Sequence, residues 1–368
     1  MAKRLPVTVI TGFLGAGKTT VLRHLLTRGG QRLAVMVNEF GSVGLDGDLI
    51  RSCGFCPEEE VDGRLVELNN GCLCCTVQDD FLPTMETLLE RADQLDGIVV
   101  ETSGLALPRP LLQALDWPAI RSRVHVNGVV TLVDGEALAA GSPVADAEAL
   151  ERQRAEDPSL DHLTAIDDLF EDQLQAADLV LISRADCLDA SAMAEVQGRI
   201  KDKVRPGTAL LPVSQGQVET SVVLGLEHKP TPQEAHTHHD NHHDHDHHDH
   251  SHVDMVGSNV RVEGAFDRQA LEQLLPSLVS NHQVVRLKGR VWLPSKTLPL
   301  QIQMVGPRLN SWFEAAPSHA WRPDQGCGAD LVVLALNEAA APALESGLQR
   351  LVQATPAKAS PAAATPES

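Results

Sequence analysis

The sequence predicts an α/β chain: a P-loop NTPase domain built on a doubly wound, mostly parallel sheet, followed by a smaller C-terminal α+β domain. Three observations predict it. A G-x-x-x-x-G-K-[ST] loop at 12–19 lies between an apolar, β-branched run (LPVTVIT, 5–11) and a stretch with a helical apolar face (TVLRHLL, 20–26). Strand-like runs at 32–37, 97–100, 124–133, 179–182 and 210–213 alternate with helical stretches at 77–92, after Pro108, at 167–177 and at 190–203. Past a His/Asp-rich break, a second pattern begins: strand 260–266, helix 268–279, strands 284–292, 300–305 and 331–336, and helix 338–352.

The expected organisation is a P-loop domain over 1–226 and a His/Asp-rich linker without fixed structure over 227–257. A C-terminal α+β domain then covers 258–353, and an Ala/Pro/Ser/Thr-rich tail covers 354–368. Residues 141–162 are polar and read as irregular, and 65–68 read as a short strand.

In the phosphate loop, Gly12, Gly15 and Gly17 let backbone N–H groups turn inward on an anion. Ala16 and Thr20 complete the loop and the start of a helix, whose N-terminus adds positive potential. Lys18 is placed to neutralise β/γ oxygens, and the Thr19 hydroxyl to bind Mg²⁺. The second apolar run ends in Asn38-Glu39-Phe40-Gly41, and the third in Glu101-Thr102-Ser103-Gly104. At the latter, Glu101 is expected to hold Mg²⁺ water or orient the attacking water, and the Gly104 N–H to sense the γ-phosphate. Lys18 and Glu101 are thus the catalytic candidates. A fourth run ends in Ser183-Arg184-Ala185-Asp186. Guanine is read elsewhere by Asn-Lys-x-Asp, through a carboxylate that accepts from the ring N1–H and the exocyclic amine. Asp186 keeps that carboxylate, while Ser and Arg replace Asn and Lys; the Arg184 stem and guanidinium can stack on a base. GTP is therefore expected, with ATP as the alternative. No arginine finger is evident, so intrinsic hydrolysis is expected to be slow.

Cys72, Cys74 and Cys75 put three thiols within four residues, a set suited to Zn²⁺ or Co²⁺. Their spacing does not fold a closed four-ligand knuckle, so an open, exchangeable site fits better; buried structural cysteines are the alternative. Cys53 and Cys56 read as idle or auxiliary, Cys187 and Cys327 as structural. The tract at 236–252 carries His236, His238, His239, His242, His243, His245, His247, His248, His250 and His252. Imidazole suits Zn²⁺, Co²⁺ and Ni²⁺, so the tract is an auxiliary metal reservoir or a solvated linker with incidental affinity.

Composition bounds the partners. The 368 residues are 43% apolar but only 3% aromatic, with no tyrosine, so the core is aliphatic. A formal charge of −20 argues against nucleic acid or an anionic membrane as the main partner. No run reaches the length of a membrane span, and MAKRLPVTVITG enters a strand directly, so no signal peptide is read. A cytoplasmic, reducing compartment is expected, with the seven cysteines as thiols or metal ligands rather than disulfides.

Together GFLGAGKTT, NEFG, NGCLCCTV, ETSGLALPRP, the Asp186 motif, the His-rich linker and the C-terminal α+β pattern resemble the CobW family of P-loop GTPases, over about residues 5 to 350. The resemblance implies GTP hydrolysis with Mg²⁺ and handling of a transition-metal ion through C-x-C-C. It carries function onto 12–20, Glu39, Cys72, Cys74, Cys75, Glu101 and Asp186. It also implies Co²⁺ supply for cobalamin biosynthesis, with an acceptor metalloenzyme or cobalt chelatase as the protein partner. A zinc chaperone and a non-catalytic His-rich metal buffer are the alternatives. The expected switch has bound GTP ordering the loops at Glu39 and Gly104, which brings Cys72 and Cys74 into ligand geometry with Cys75 auxiliary. A monomer or weak homo-oligomer is expected.

Overall fold

Strand β1 (Leu5–Thr11) is buried along its whole length, because apolar and β-branched residues fill it and a parallel strand flanks each side. The computed structural model describes residues 4–28, 30–38, 66–67, 73–76, 81–102, 104–156, 165–225, 255–318 and 320–354. Around β1 lie β2 (Leu33–Asn38), β3 (Val66–Glu67), β4 (Leu73–Thr76), β5 (Gly97–Thr102), β6 (Val124–Asp134), β7 (Leu179–Ser183) and β8 (Ala209–Pro212). They form one eight-stranded sheet in the order β3-β4-β2-β5-β1-β6-β7-β8. Neighbours are parallel throughout, except at the β3–β4 edge.

The connections are helical: α1 (Lys18–Arg28), α2 (Phe81–Glu90), α3 (Pro108–Leu115), α4 (Gly135–Ala139), α5 (Ala147–Glu156), α6 (Ile166–Ala176), α7 (Ala190–Lys201) and α8 (Thr220–Leu224). Met85, Leu88 and Leu89 of α2 pack with Leu115 against Val7, Val9, Ile98 and Val100. Phe170 and Leu174 of α6 and Val196 and Ile200 of α7 pack against Val133, Val180 and Ile182, with Phe13 and Leu105 in the same cluster. Helices packed on a parallel sheet give the expected α/β architecture.

Two polar ties hold the sheet. At a bulge in the β1–β6 pairing, buried Asn127 donates from Nδ2 to Thr8 Oγ1 (2.8 Å) and to the Leu224 carbonyl (3.0 Å). Asp178, fully buried just before β7, accepts from the Val129 N–H at 2.8 Å and pairs with the Arg205 guanidinium.

Helix α5 corrects the irregular reading of 141–162. Asp146 caps it by accepting from Ala149 N (2.8 Å), and Leu150 is its buried anchor. With one buried leucine in AEALERQRAE there is no apolar period to detect. Helices α4 and α8, five residues each, are too short for periodicity.

The chain divides into Met1–Asp254 and Met255–Ser368. The second unit contains β9 (Val256–Glu263), α9 (Arg268–Asn281), β10 (Val284–Trp292), β11 (Leu300–Val305), β12 (Arg308–Phe313), β13 (Gly328–Ala335) and α10 (Ala340–Ala354). Its antiparallel sheet runs β12-β11-β10-β13-β9. Leu271, Leu275, Leu278, Leu344 and Leu348 of the two helices cover Val260, Leu287, Val291, Ile302 and Leu331. Strand β12 was not expected, because RLNSWF is only partly buried along its length. Cys187 is exposed rather than packed, whereas Cys327 is half-buried and burial pushes its thiol pKa up. Among the described residues no helix is long and apolar enough to cross a membrane.

Removing Asp178 takes the counter-charge from Arg205, which keeps the Ala176 and Ala177 carbonyls as acceptors, and strands the Val129 N–H. Because Arg205 keeps 33% of its side-chain surface in water, Asp178→Ala is expected at the low end of the range for breaking a buried pair, about 3 kcal/mol. The midpoint and slope of denaturant unfolding of the full chain check this.

Candidate functional site: a phosphate loop beside a cysteine-bearing strand

The turn from β1 into α1 needs glycine for two separate reasons. Gly12, Gly15 and Gly17 have φ of +136°, +79° and +95°, conformations that L side chains rarely adopt. A Cβ on Gly12 would also lie 2.2 Å from the Leu132 carbonyl oxygen in β6, whereas at Gly15 nothing among the described residues lies within 4 Å. The loop is therefore closed against the sheet at Gly12 and open at Gly15, at the N-terminus of a helix, the kind of place where backbone N–H groups meet an anion. Ala16 N donates to the Phe13 carbonyl (3.1 Å) and Val21 N to the Gly17 carbonyl (3.1 Å), which starts α1.

Lys18 is buried and curls back over this loop. Its Nζ donates to the Gly12 carbonyl at 2.8 Å and to the Phe13 carbonyl at 3.1 Å. Thr19 Oγ1 donates to Glu101 Oε1 at 3.5 Å. Glu101, near the end of β5, is 7% exposed. A hydroxyl and a carboxylate converging beside a phosphate cradle are oxygen ligands of the kind Mg²⁺ takes, so the residues present fit that ion. Gly104 packs directly on the loop, since a Cβ there would come 2.7 Å from Leu14 N. Thr102 Oγ1 donates to Thr11 Oγ1 (3.0 Å), tying the ends of β5 and β1.

The end of β7 reaches the same cradle. A Cβ on Gly17 would lie 3.6 Å from Ser183 Cβ, and Ser183 Oγ donates to the Val133 carbonyl (3.1 Å). Arg184 is left-handed at φ 54°. Its Nη1 lies 3.1 Å from Glu136 Oε2 and 3.5 Å from Asp134 Oδ2, so carboxylates of α4 and its cap hold the guanidinium. Asp186 is exposed on the following 3₁₀ turn, Ala185–Cys187.

Two further contributors lacked a sequence motif. Turn residue Gly216 (φ +72°) abuts Thr20, with a hypothetical Cβ 2.8 Å from Thr20 Cγ2. The signal available was the Ser214-Gln215-Gly216 run directly after a short apolar strand. Gln173 on α6, 1% exposed, donates from Nε2 to the Gly104 carbonyl (3.0 Å) and to the Ala106 carbonyl (3.4 Å). A polar residue inside an amphipathic helix gave no sign of this from sequence.

Of the cysteine motif, Cys74 and Cys75 lie on β4. Their backbones pair in register with Val35 and Met36 of β2, and Thr76 pairs with Val37, which in turn pairs with Glu101 of β5. Cys75 is thus two strands from Glu101 and one residue before its row, about 10 Å across the sheet. Glu39, Cys72, Cys53, Cys56, Ser103 and the ten histidines of 236–252 lie outside the described residues. Among the described residues, no group of three or more His, Cys, Asp or Glu side chains converges as a metal site.

Comparison with known proteins agrees with this layout. Residues 6–212 match the family model described as CobW/HypB/UreG, nucleotide-binding domain, and 255–352 match the Cobalamin synthesis protein cobW C-terminal domain. The chain is 46% identical over 342 residues to the zinc chaperone CobW of Pseudomonas aeruginosa, covering 90% of this chain and 87% of that one. It is 41% identical over 364 residues to the zinc chaperone CobW of a Sinorhizobium species, covering 95% and 98%. A shorter match, 38% over 136 residues, is to the zinc chaperone YjiA of Escherichia coli, covering 35% of this chain and 40% of that one. With both domain models matched in order and relatives aligned over most of their length, the chain belongs to the CobW family.

Proposed function

We propose that this protein is a GTP-hydrolysing metallochaperone that carries a divalent transition metal on its C-x-C-C segment and passes it to an acceptor protein. The observation that carries the reading is the register linking Glu101 to the cysteine-bearing strand within one sheet. The cargo is Zn²⁺ or Co²⁺. Thiolates accept both, and the names of the relatives support zinc as strongly as the family resemblance supports cobalt for cobalamin biosynthesis. The proposed organisation keeps a linker between the two domains but ends it at 254 rather than 257, because Val256 and Gly257 already pair with β13 in β9, and the proposed compartment is the cytosol.

In this reading the N–H groups of 12–19 bind the α/β-phosphates on the open side of Gly15. Lys18 reaches the β/γ oxygens from its place over the Gly12 and Phe13 carbonyls. Thr19 and Glu101 would hold Mg²⁺, and that ion would supply neutralisation of the charge on the β/γ oxygens. Glu101 also orients the attacking water. Asp186 selects guanine, and the Arg184 stem flanks the base while Glu136 and Asp134 fix its guanidinium. Gly104, packed against the loop at Leu14, senses the γ-phosphate. Glu39 and the loop after β2 order with it, bringing Cys72, Cys74 and Cys75 into ligand geometry. Hydrolysis relaxes them and releases the cargo.

Four measurements test this. Lys18→Ala removes a buried cation of the cradle and is expected to weaken GTP and GDP binding by about a hundredfold, read by fluorescent-nucleotide titration. The same variant is expected to fail in metal hand-over, whereas a passive buffer would deliver normally. Thr19→Ala is expected to raise the Mg²⁺ concentration for half-maximal GTPase activity by about tenfold, since a charge-assisted ligand is worth about 1.5–3 kcal/mol. Competition titration of Zn²⁺ and Co²⁺ is expected to show at least about fivefold tighter binding with a non-hydrolysable GTP analogue than with GDP. Equal affinities in the two states contradict the switch, and the tighter-held ion in the GTP state identifies the cargo.

A further inference from the structure

Gln173 closes a ring of contacts beneath the phosphate loop. Thr11, the last residue of β1, accepts from the Thr102 hydroxyl on β5. Two residues further on, the Gly104 carbonyl accepts from Gln173 Nε2. The Gln173 backbone carbonyl accepts from Thr131 Oγ1 (3.2 Å), and Thr131 pairs in register with Thr11. The ring thus runs from the phosphate-loop strand through the γ-phosphate-sensing segment to α6, and back through β6. The same helix grips the phosphate loop directly, with Phe170 stacked on Phe13 at 5.9 Å between ring centroids.

One feature of Gln173 suits a moving part better than a static strut. Its Nε2 is shared between two carbonyls, Gly104 at 3.0 Å and Ala106 at 3.4 Å, while its Oε1 is buried with no hydrogen-bond partner among the described residues. A buried acceptor without a donor is costly, and a small advance of the 104–106 segment that offers it an N–H removes the cost. The segment has little freedom to retreat, because Leu105 is buried in the same apolar cluster as Phe13 and Phe170, and Gly104 already touches Leu14.

We propose that Gln173 is a positioning residue that aims the Gly104 segment at the terminal phosphate and thereby lets this protein tell a triphosphate from a diphosphate. It touches neither nucleotide nor metal; it acts by holding the Gly104 and Ala106 carbonyls, so that the N–H of Gly104 faces the cradle. This rests on the GTPase reading above, and the test separates the two.

The experiment uses the full chain with Gln173→Leu and Gln173→Met, which keep the side chain's bulk and remove the amide. Affinities for GDP and for a non-hydrolysable GTP analogue are measured with kcat and KM for GTP. The expected result is unchanged GDP affinity within about twofold, a preference for the GTP analogue reduced by about tenfold, and kcat lowered by a similar factor, the equivalent of one or two buried hydrogen bonds. A purely structural role lowers the melting temperature but leaves the triphosphate-to-diphosphate ratio at the wild-type value, which overturns the proposal. In the unmodified chain, the Gln173 side-chain amide resonances are expected to shift between the GDP and GTP-analogue states. Identical resonances overturn the proposal even if neither variant folds. Wild-type protein that fails to bind GTP at all refutes the GTPase reading, whereas normal wild-type turnover with an undisturbed Gln173→Leu ratio refutes the positioning role alone.

Discussion

A buried ammonium governs the nucleotide half of this molecule. Lys18 stands almost wholly out of water, and two backbone carbonyls of its own loop are among the groups that hold it there. Burying a cation is expensive unless compensating oxygen surrounds it, so the loop must curl to present those carbonyls. That curl requires positive φ at Gly12, Gly15 and Gly17, and it requires β6 to pass so close to Gly12 that no side chain fits. In the proposed function the same ammonium meets the β/γ oxygens, so the curl that houses the lysine and the cradle that would take the anion are one conformation.

The parallel sheet gives this local chemistry a longer reach. Strands β1, β2, β4 and β5 share hydrogen-bonded rows, so the carboxylate of Glu101 and the backbone of Cys75 keep a near-constant separation. Ligand crevices in open α/β sheets lie outside the carboxyl ends of parallel strands. In this chain that edge carries the Gly12–Thr19 loop after β1 and the Ser183–Asp186 turn after β7, in the same sheet as the cysteine-bearing strand β4.

Much of this was legible in the sequence, and the reason differs from element to element. The phosphate loop was legible because its glycines, lysine and threonine each answer a separate physical demand, and because the flanking strand and helix have opposite periodicities. Strand β6 was read nearly to its ends, since eleven residues of buried strand leave a long apolar run. The direction of the Arg184 guanidinium was not legible. It depends on Glu136, 48 positions earlier, and on the cap of a five-residue helix. Gln173 was hidden for a similar reason: its partners are backbone carbonyls, which every sequence offers equally. Helix α5 escaped because propensity and an Asp cap, rather than an apolar face, define it. The cysteines were found by spacing alone, and for them register is the geometry that the described backbone adds.

The bulge at Asn127 has a mechanical corollary. Its amide joins the middle of β1, through Thr8, to the carbonyl of Leu224, the final residue of α8. Val222, Val223 and Leu224 are buried on the same helix, so α8 is seated on the sheet by packing as well as by this amide. A displacement of α8 is therefore passed to the middle of the strand that leads into Gly12, where the phosphate loop begins.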